Sequence, residues 1–457
     1  MRNIKTYMSS ITNSCIQALK ESVFMRLQIS FVFFILLFYS CTKSDAIVAV
    51  EEEVFSKPNI LLILADDMGL DATPGYNIGS VKPNMPTLQS MMNSGVKFDN
   101  LWSYPTCSPT RASILTGKYG SRTNVLKVDD ELSTSEISLQ KFLDTNNSEY
   151  NHAVIGKWHL SKRASHPTQM GVGYYAGNLT GGVRSYTNWN FTENGVTSNS
   201  TEYTTTKFTD LAINWIKDQD KPWFLWLAYN APHAPFHLPP SNLHTQSLPS
   251  DQASIDASPM PYYMAMIEAM DTEIGRLLSS MSQQERDNTI IIFIGDNGTP
   301  GQVVQQHSSR RAKGSLYEGG VNVPMIISGK GVDRINQSES ALINTTDLFA
   351  TIADIADTGV TSVNDSKSFK SLLSVSNPDF REYSYSEKGM SSIVADYTIR
   401  NSTHKYMLFE NGDEAFYDMI SSPFETINLL SANQSALSIK EIEILQELKG
   451  YAEIIKK

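Results

Sequence analysis

The sequence predicts an α/β fold: a large mixed, mostly parallel central sheet flanked by helices, with a small C-terminal α+β subdomain. Two observations carry this prediction. From Pro58 onward, short β-branched and Leu-rich runs alternate with stretches of helical period, the pattern of strands buried on both faces between helical layers. From about Tyr383 that alternation gives way to short strand-like pieces, at 393–395, 398–400 and 405–409, followed by a last helical stretch over 438–455.

The elements follow in chain order. Residues 29–39, ISFVFFILLFY, form an apolar run too short to span a bilayer, and with Arg26 before it this reads as the core of an export signal covering residues 1–40. Ser40-Cys41 resembles a bacterial lipoprotein cleavage site, so Cys41 is expected to carry a lipid anchor, and Met25 is an alternative start. The expected location is therefore the outer membrane or cell surface as a lipoprotein, or the periplasm. Residues 41–57 mix acidic and small residues as an anchor and linker, residues 58–380 form the main domain, and residues 381–457 the C-terminal subdomain. Cys15 falls in the discarded segment and Cys41 at the anchor, which leaves Cys107 alone in the folded part and argues against a disulfide framework. The net charge of -11 argues against nucleic acid as a partner, because backbone affinity needs clustered Lys and Arg.

Predicted strands share one property. Residues 59–65 run into Asp66-Asp67, 152–155 into Gly156-Lys157-Trp158-His159, 223–229 into Asn230-Ala231-Pro232-His233, and 289–294 into Gly295-Asp296-Asn297-Gly298. Ligands in open α/β sheets sit beyond the carboxyl ends of the strands, where these charged and imidazole groups gather. Helices are predicted over 86–94, 110–116, 206–217, 260–281 and 346–355.

Asp66-Asp67 and Asp296-Asn297 are hard oxygen donors suited to Ca²⁺ or Mg²⁺, the alternative for each being a solvated turn. Cys107-Ser108-Pro109-Thr110-Arg111 reads as a helix start with Ser108 at the N-cap and Pro109 at the first helical position, which aims free amides and the positive helix end at an anion beside residue 107. The alternative for Cys107 is an inert buried residue, and for Arg111 a surface one.

In this order the motifs identify the chain as resembling the type I, formylglycine-dependent sulfatase family of the alkaline-phosphatase-like superfamily. They are Pro58-Asn59-Ile60 to Asp66-Asp67, Cys107 to Arg111, Leu115-Thr116-Gly117, Gly156-Lys157-Trp158-His159-Leu160, Pro232-His233-Ala234-Pro235, Asp296-Asn297-Gly298, Lys313-Gly314 and Tyr317-Glu318-Gly319-Gly320, with Ala415-Phe416-Tyr417-Asp418 further on. The resemblance implies a metal shell of Asp66, Asp67, Asp296, Asn297 and the modified residue 107, holding Ca²⁺ or alternatively Mg²⁺. It implies that a maturation enzyme converts Cys107 to formylglycine. The hydrated aldehyde would then attack sulfur with one hydroxyl, assisted by metal and Arg111, and eliminate sulfate through the other with His159 as base. Lys157, His233 and Lys313 would hold sulfate oxygens, and His233 or Lys313 would protonate the leaving oxygen.

Taken singly, Lys157 and Lys313 are also compatible with surface lysines, and His159 and His233 with structural histidines. His237 invites a zinc reading, which Pro235, Pro239-Pro240 and the lack of a third nitrogen or sulfur ligand exclude. His307, Arg310 and Arg311 fit a pocket wall or a solvated loop. Tyr174, Tyr175, Tyr186 and Trp189 fit either a sugar-stacking surface or the core. For an exported chain the expected substrate is a sulfated polysaccharide or its oligosaccharides. The competing functions are a phosphodiester or phosphonate ester hydrolase of the same superfamily and a catalytically dead surface glycan-binding lipoprotein.

Overall fold

The computed structural model describes residues 57–456 except 147–148 and 391–392. The signal region, most of the linker, Cys15 and Cys41 lie outside the described residues. Among those that are described, no helix is long and apolar enough to cross a membrane.

The main sheet begins with β1 (Asn59–Ala65), β2 (Gly95–Trp102), β3 (Asn151–Lys157) and β4 (Tyr174–Asn178). It continues with β5 (Trp189–Glu193), β6 (Val196–Ser200), β7 (Trp223–Ala228), β8 (Thr289–Gly295), β9 (Asn322–Gly329), β10 (Gln337–Glu339) and β11 (Ile343–Asn344). Its order is β10-β2-β9-β8-β1-β7-β3-β4-β5-β6, with β11 also on β2. The central strands β8, β1, β7, β3 and β4 are mutually parallel, while β9 and β5 run antiparallel to their neighbours, so the sheet is mixed and mostly parallel as the sequence predicts. A short hairpin, β12 (Ser362–Val363) and β13 (Ser366–Lys367), precedes a separate antiparallel sheet of β14 (Ser384–Met390), β15 (Ile393–Arg400), β16 (His404–Leu408) and β17 (Glu414–Asp418). The final helix, Ile439–Ile455, starts with a capping box between Ser438 and Glu441 and packs against this second sheet.

Alternation along β1 sends its side chains into two cores. Leu61, Ile63 and Ala65 join the cluster under the helices Pro86–Asn93, Thr204–Lys217 and Pro259–Ser280. Ile60, Leu62 and Leu64 join the one under Cys107–Thr116, Leu139–Thr145 and Asp347–Ile355. All seven residues of β1 are buried, which is why they read as a continuous apolar run.

Register then places the chemistry. Leu64 pairs with Ala228, Gly156 with Ala228, and Ala65 with Gly295, so the residues after β1, β7 and β8 and the last residue of β3 emerge at one level. Gly156 makes this possible: its φ is +112°, and a Cβ there would fall 1.9 Å from the Ala228 carbonyl oxygen.

Candidate active site

The first carboxylates leave β1 under constraint. Asp67 adopts a left-handed φ of +72°, costly for a residue with a Cβ, and is fixed from both sides. Its amide donates to Asp296 Oδ1 at 3.0 Å, and the Tyr263 hydroxyl donates to its carbonyl at 2.8 Å. Asp66 continues the sheet ladder by donating its amide to the Ala231 carbonyl at 3.1 Å.

The nucleophile segment differs in detail from its predicted start. The helix runs Cys107–Thr116 with Thr106 at the N-cap, so Cys107 is its first residue and Ser108 is not the cap. Pro109 still fits, because first-turn residues have no intrahelical acceptor for an N–H. Ser108 Oγ instead accepts the Asp129 amide at 3.2 Å. Every side chain from Cys107 to Thr116 is buried, and Gly117, in the left-handed region, ends the helix.

Cys107 Sγ lies 3.4 Å from Asp66 Oδ1 and 4.0 Å from Asp67 Oδ1. Asp66, Asp67, Cys107 and Asp296, all buried, each present a ligand atom within 4.8 Å of the others. Asn297 donates through Nδ2 to Asp67 Oδ1 at 2.8 Å, while its Oδ1 is buried without a hydrogen-bond partner. A buried acceptor left unpaired beside three carboxylates suits a cation, and the oxygen donors suit a hard one.

Cations ring these carboxylates. Lys157 Nζ donates to Asp66 Oδ2 at 2.6 Å, and Lys313 Nζ to Asp67 Oδ2 at 2.6 Å. Arg111, wholly buried, donates to the Lys157 carbonyl at 2.6 Å and to Asp296 Oδ2 at 3.0 Å. Lys157 and Arg111 are thus not surface residues, and Lys313 is only 21% exposed at its side chain. Burial opposes the charge on Asp66, but Lys157, His233, Arg111 and Lys313 outweigh it and hold the carboxyl well below its usual range. Asp296 is pushed up to about 6 by burial first and by the charge of Asp66 second. Burial, reinforced by Asp296, also pushes the Cys107 thiol far up, so the unmodified side chain is a poor nucleophile.

The two histidines hold different partners. His233 donates from Nδ1 to the Ala234 carbonyl at 2.7 Å, and its Nε2 faces Asp67 Oδ2 at 3.7 Å. His159 Nε2 bonds Asp129 Oδ1 at 2.9 Å, while its Nδ1 is buried without a partner. Burial, together with Lys157 and Arg111, lowers His159 to about 3 and keeps its ring neutral. Gly181 and Gly182 pass directly over the two rings: a Cβ at Gly181 would lie 2.5 Å from His159 Cε1, and one at Gly182 would lie 3.1 Å from His233 Cε1.

All ten residues singled out in the sequence therefore meet beyond the carboxyl ends of β1, β3, β7 and β8. The remaining candidates separate. His237 packs on Tyr186 with ring centroids 4.2 Å apart, and its ring nitrogens bond the Pro235 carbonyl and the Tyr203 hydroxyl. Arg311 donates to the Glu425 carbonyl at 2.6 Å and Arg310 is exposed. Tyr175, Tyr186 and Trp189 are buried core residues rather than a sugar platform, and Tyr174 is half-buried with its hydroxyl on Glu193. Sequence reasoning missed Asp129, whose acidic neighbours make it look like part of a solvated loop, and Tyr263, which carries no signal beyond helical period.

A family model described as Sulfatase matches residues 58–358. The chain belongs to the sulfatase family. Its relatives include an uncharacterized sulfatase of Escherichia coli (strain K12), 27% identical over 66% of this chain and 63% of that one, and a sulfatase of Formosa agariphila, 26% identical over 88% of each. Among solved structures, one described as bound to its substrate, D-glucosamine-2-N,6-O-disulfate, superposes with a TM-score of 0.71 at 22% identity, covering 88% of this chain and 98% of that one. This likeness shows that the two chains share one fold.

Proposed function

We propose that this sulfatase-family chain hydrolyses sulfate esters on a sulfated polysaccharide or its oligosaccharides, using a formylglycine made from Cys107 and a divalent cation, Ca²⁺ or alternatively Mg²⁺. The observation that carries this reading is Cys107 Sγ, 3.4 Å from Asp66 Oδ1 at the start of a buried helix, inside a cluster of hard oxygen donors. A thiol is the soft exception in such a set, and exchanging it for an oxygen function makes the donors uniform. The sugar substrate is supported by a structural neighbour that binds a sulfated glucosamine.

A cation held by Asp66, Asp67, Asp296 and Asn297 would draw charge from the sulfate oxygens. Hydrated formylglycine would supply an oxygen nucleophile on a carbon able to release sulfate afterwards, which a plain hydroxyl or thiol could not do.

The chain's own groups do the rest. Lys157, Lys313 and His233 converge on the aspartate pair from three elements and would clamp sulfate oxygens without reorganising. Arg111 ties the helix of residue 107 to β3 and β8 and fixes the nucleophile's direction. The lone pair on His159 Nδ1, buried without a partner, would accept the proton released as sulfate is eliminated. His233 or Lys313, both partly exposed, would return a proton to the leaving oxygen.

Maturation requires a separate enzyme that oxidises Cys107. We also propose export, with a lipid anchor at Cys41 and a place at the outer membrane, cell surface or periplasm. Parallel kinetics on matched aryl sulfate and aryl phosphate esters test the reaction: sulfate preference is expected, and phosphate preference assigns the chain to ester hydrolysis at phosphorus. No turnover of either by a matured chain supports a glycan-binding role instead. Desulfation of defined sulfated oligosaccharides tests the substrate, and inactivity on all of them overturns the carbohydrate assignment.

A further inference from the structure

The loop at residues 126–130 reaches the site from a part of the chain with no motif of its own. Its shape is set by hydrogen bonds: Asp130 accepts the amides of Leu126 at 3.0 Å and Lys127 at 3.1 Å, closing a tight turn. Asp129 then adopts a left-handed φ of +67°, and its amide donates to Ser108 Oγ, the side chain next to Cys107. The loop is thereby tied to the first turn of the nucleophile helix. His159, also left-handed at +56°, meets it from the end of β3. Two costly backbone conformations bring one carboxylate and one imidazole together.

Their contact fixes a proton. A carboxylate accepts and does not donate, so the 2.9 Å bond between Asp129 Oδ1 and His159 Nε2 puts the neutral ring's hydrogen on Nε2. The lone pair then resides on Nδ1, the atom buried without a partner. We propose that Asp129 is a positioning residue for hydrolysis, holding His159 in the Nε2-protonated tautomer so that Nδ1 faces the reacting group as an acceptor. This rests on the sulfate ester reading above. The other carboxylate oxygen meets Lys162 at 3.2 Å, but both of those side chains are about half exposed or more, and such a pair contributes little.

The test compares matured wild type, Asp129→Ala, Asp129→Asn and Lys162→Ala on an aryl sulfate, together with ¹⁵N NMR of His159. The alanine variant should lose about 10² in kcat, the lower range of a general base's contribution, with KM changed less than about threefold. Its His159 signals should move toward a mixture of tautomers. Asparagine, which keeps a carbonyl acceptor, should recover part of the loss, and Lys162→Ala should match wild type. An Asp129→Ala kcat within about twofold of wild type, or an Nδ1-protonated ring in wild type, overturns the proposal. A matured wild type that releases no sulfate sinks the parent reading, and the NMR tautomer then decides this one.

Discussion

Replacing Gly181 with alanine perturbs the site with a single methyl group. The Gly181 φ is not in the left-handed region, so alanine meets no backbone penalty and the cost is contact alone. Its Cβ would stand 2.5 Å from both Cε1 and Nε2 of His159, against about 3.5 to 4 Å for carbon atoms at rest. Ring or loop must retreat by roughly 1 Å. Retreat of the ring stretches the 2.9 Å bond to Asp129 past hydrogen-bonding range and shifts Nδ1 with it. A displacement of this size costs about 10²-fold in rate, near 3 kcal/mol of transition-state stabilisation. Gly182→Ala, with its Cβ 3.1 Å from His233 Cε1, asks for a smaller movement and should cost about tenfold. Steady-state kinetics on an aryl sulfate, with the melting temperature as a check on folding, measure both. A Gly181→Ala kcat within about threefold of wild type would refute the assignment of His159 to the reacting centre.

Further outcomes follow from the same geometry. Asp67→Asn removes a charged donor from the cluster and leaves Lys313 without its carboxylate, so calorimetry should show Ca²⁺ affinity falling by at least about tenfold; unchanged affinity would place the cation elsewhere. Leu62→Ala, at a fully buried position in the sheet core, should cost about 3 kcal/mol in urea unfolding, and a cost below about 1 kcal/mol would mean that this core repacks freely. Asp271 accepts the Thr87 and Leu88 amides at the start of the helix Pro86–Asn93, and burial raises it to about 6. With its folded value above its unfolded one, the folded state binds more protons between about pH 4 and 6, so this group's contribution to stability grows as pH falls through that window. Relative to Asp271→Asn, wild type should therefore gain up to about 3 kcal/mol between pH 7 and pH 4, and a gap that stays flat or moves the other way contradicts the assignment.

The strands bearing the site were legible because each is buried on both faces and ends in an abrupt change of character. The 59–65 run needs no periodicity argument, and Asp66-Asp67 after it marks the turn out of the sheet. β2 and β9 were less so: Lys97, Asp99 and Asn100 interrupt β2, and Pro324 breaks the apolar run of β9. The predicted pieces 393–395 and 398–400 are one strand, because Asp396 between them pairs with Lys388 rather than marking a turn. The motif residues could be found from spacing and type. Asp129 could not, since it meets His159 through two loops whose approach depends on left-handed backbone and on Ser108, features that only the folded chain displays.

The most direct measurement plots the rate of sulfate release from an aryl sulfate against the fraction of chains in which residue 107 has exchanged its sulfur for an aldehyde oxygen, the fraction read by peptide mass spectrometry. Turnover should rise in proportion to that fraction and extrapolate to none for the unmodified thiol. Undiminished turnover by chains that keep Cys107 intact would contradict the account.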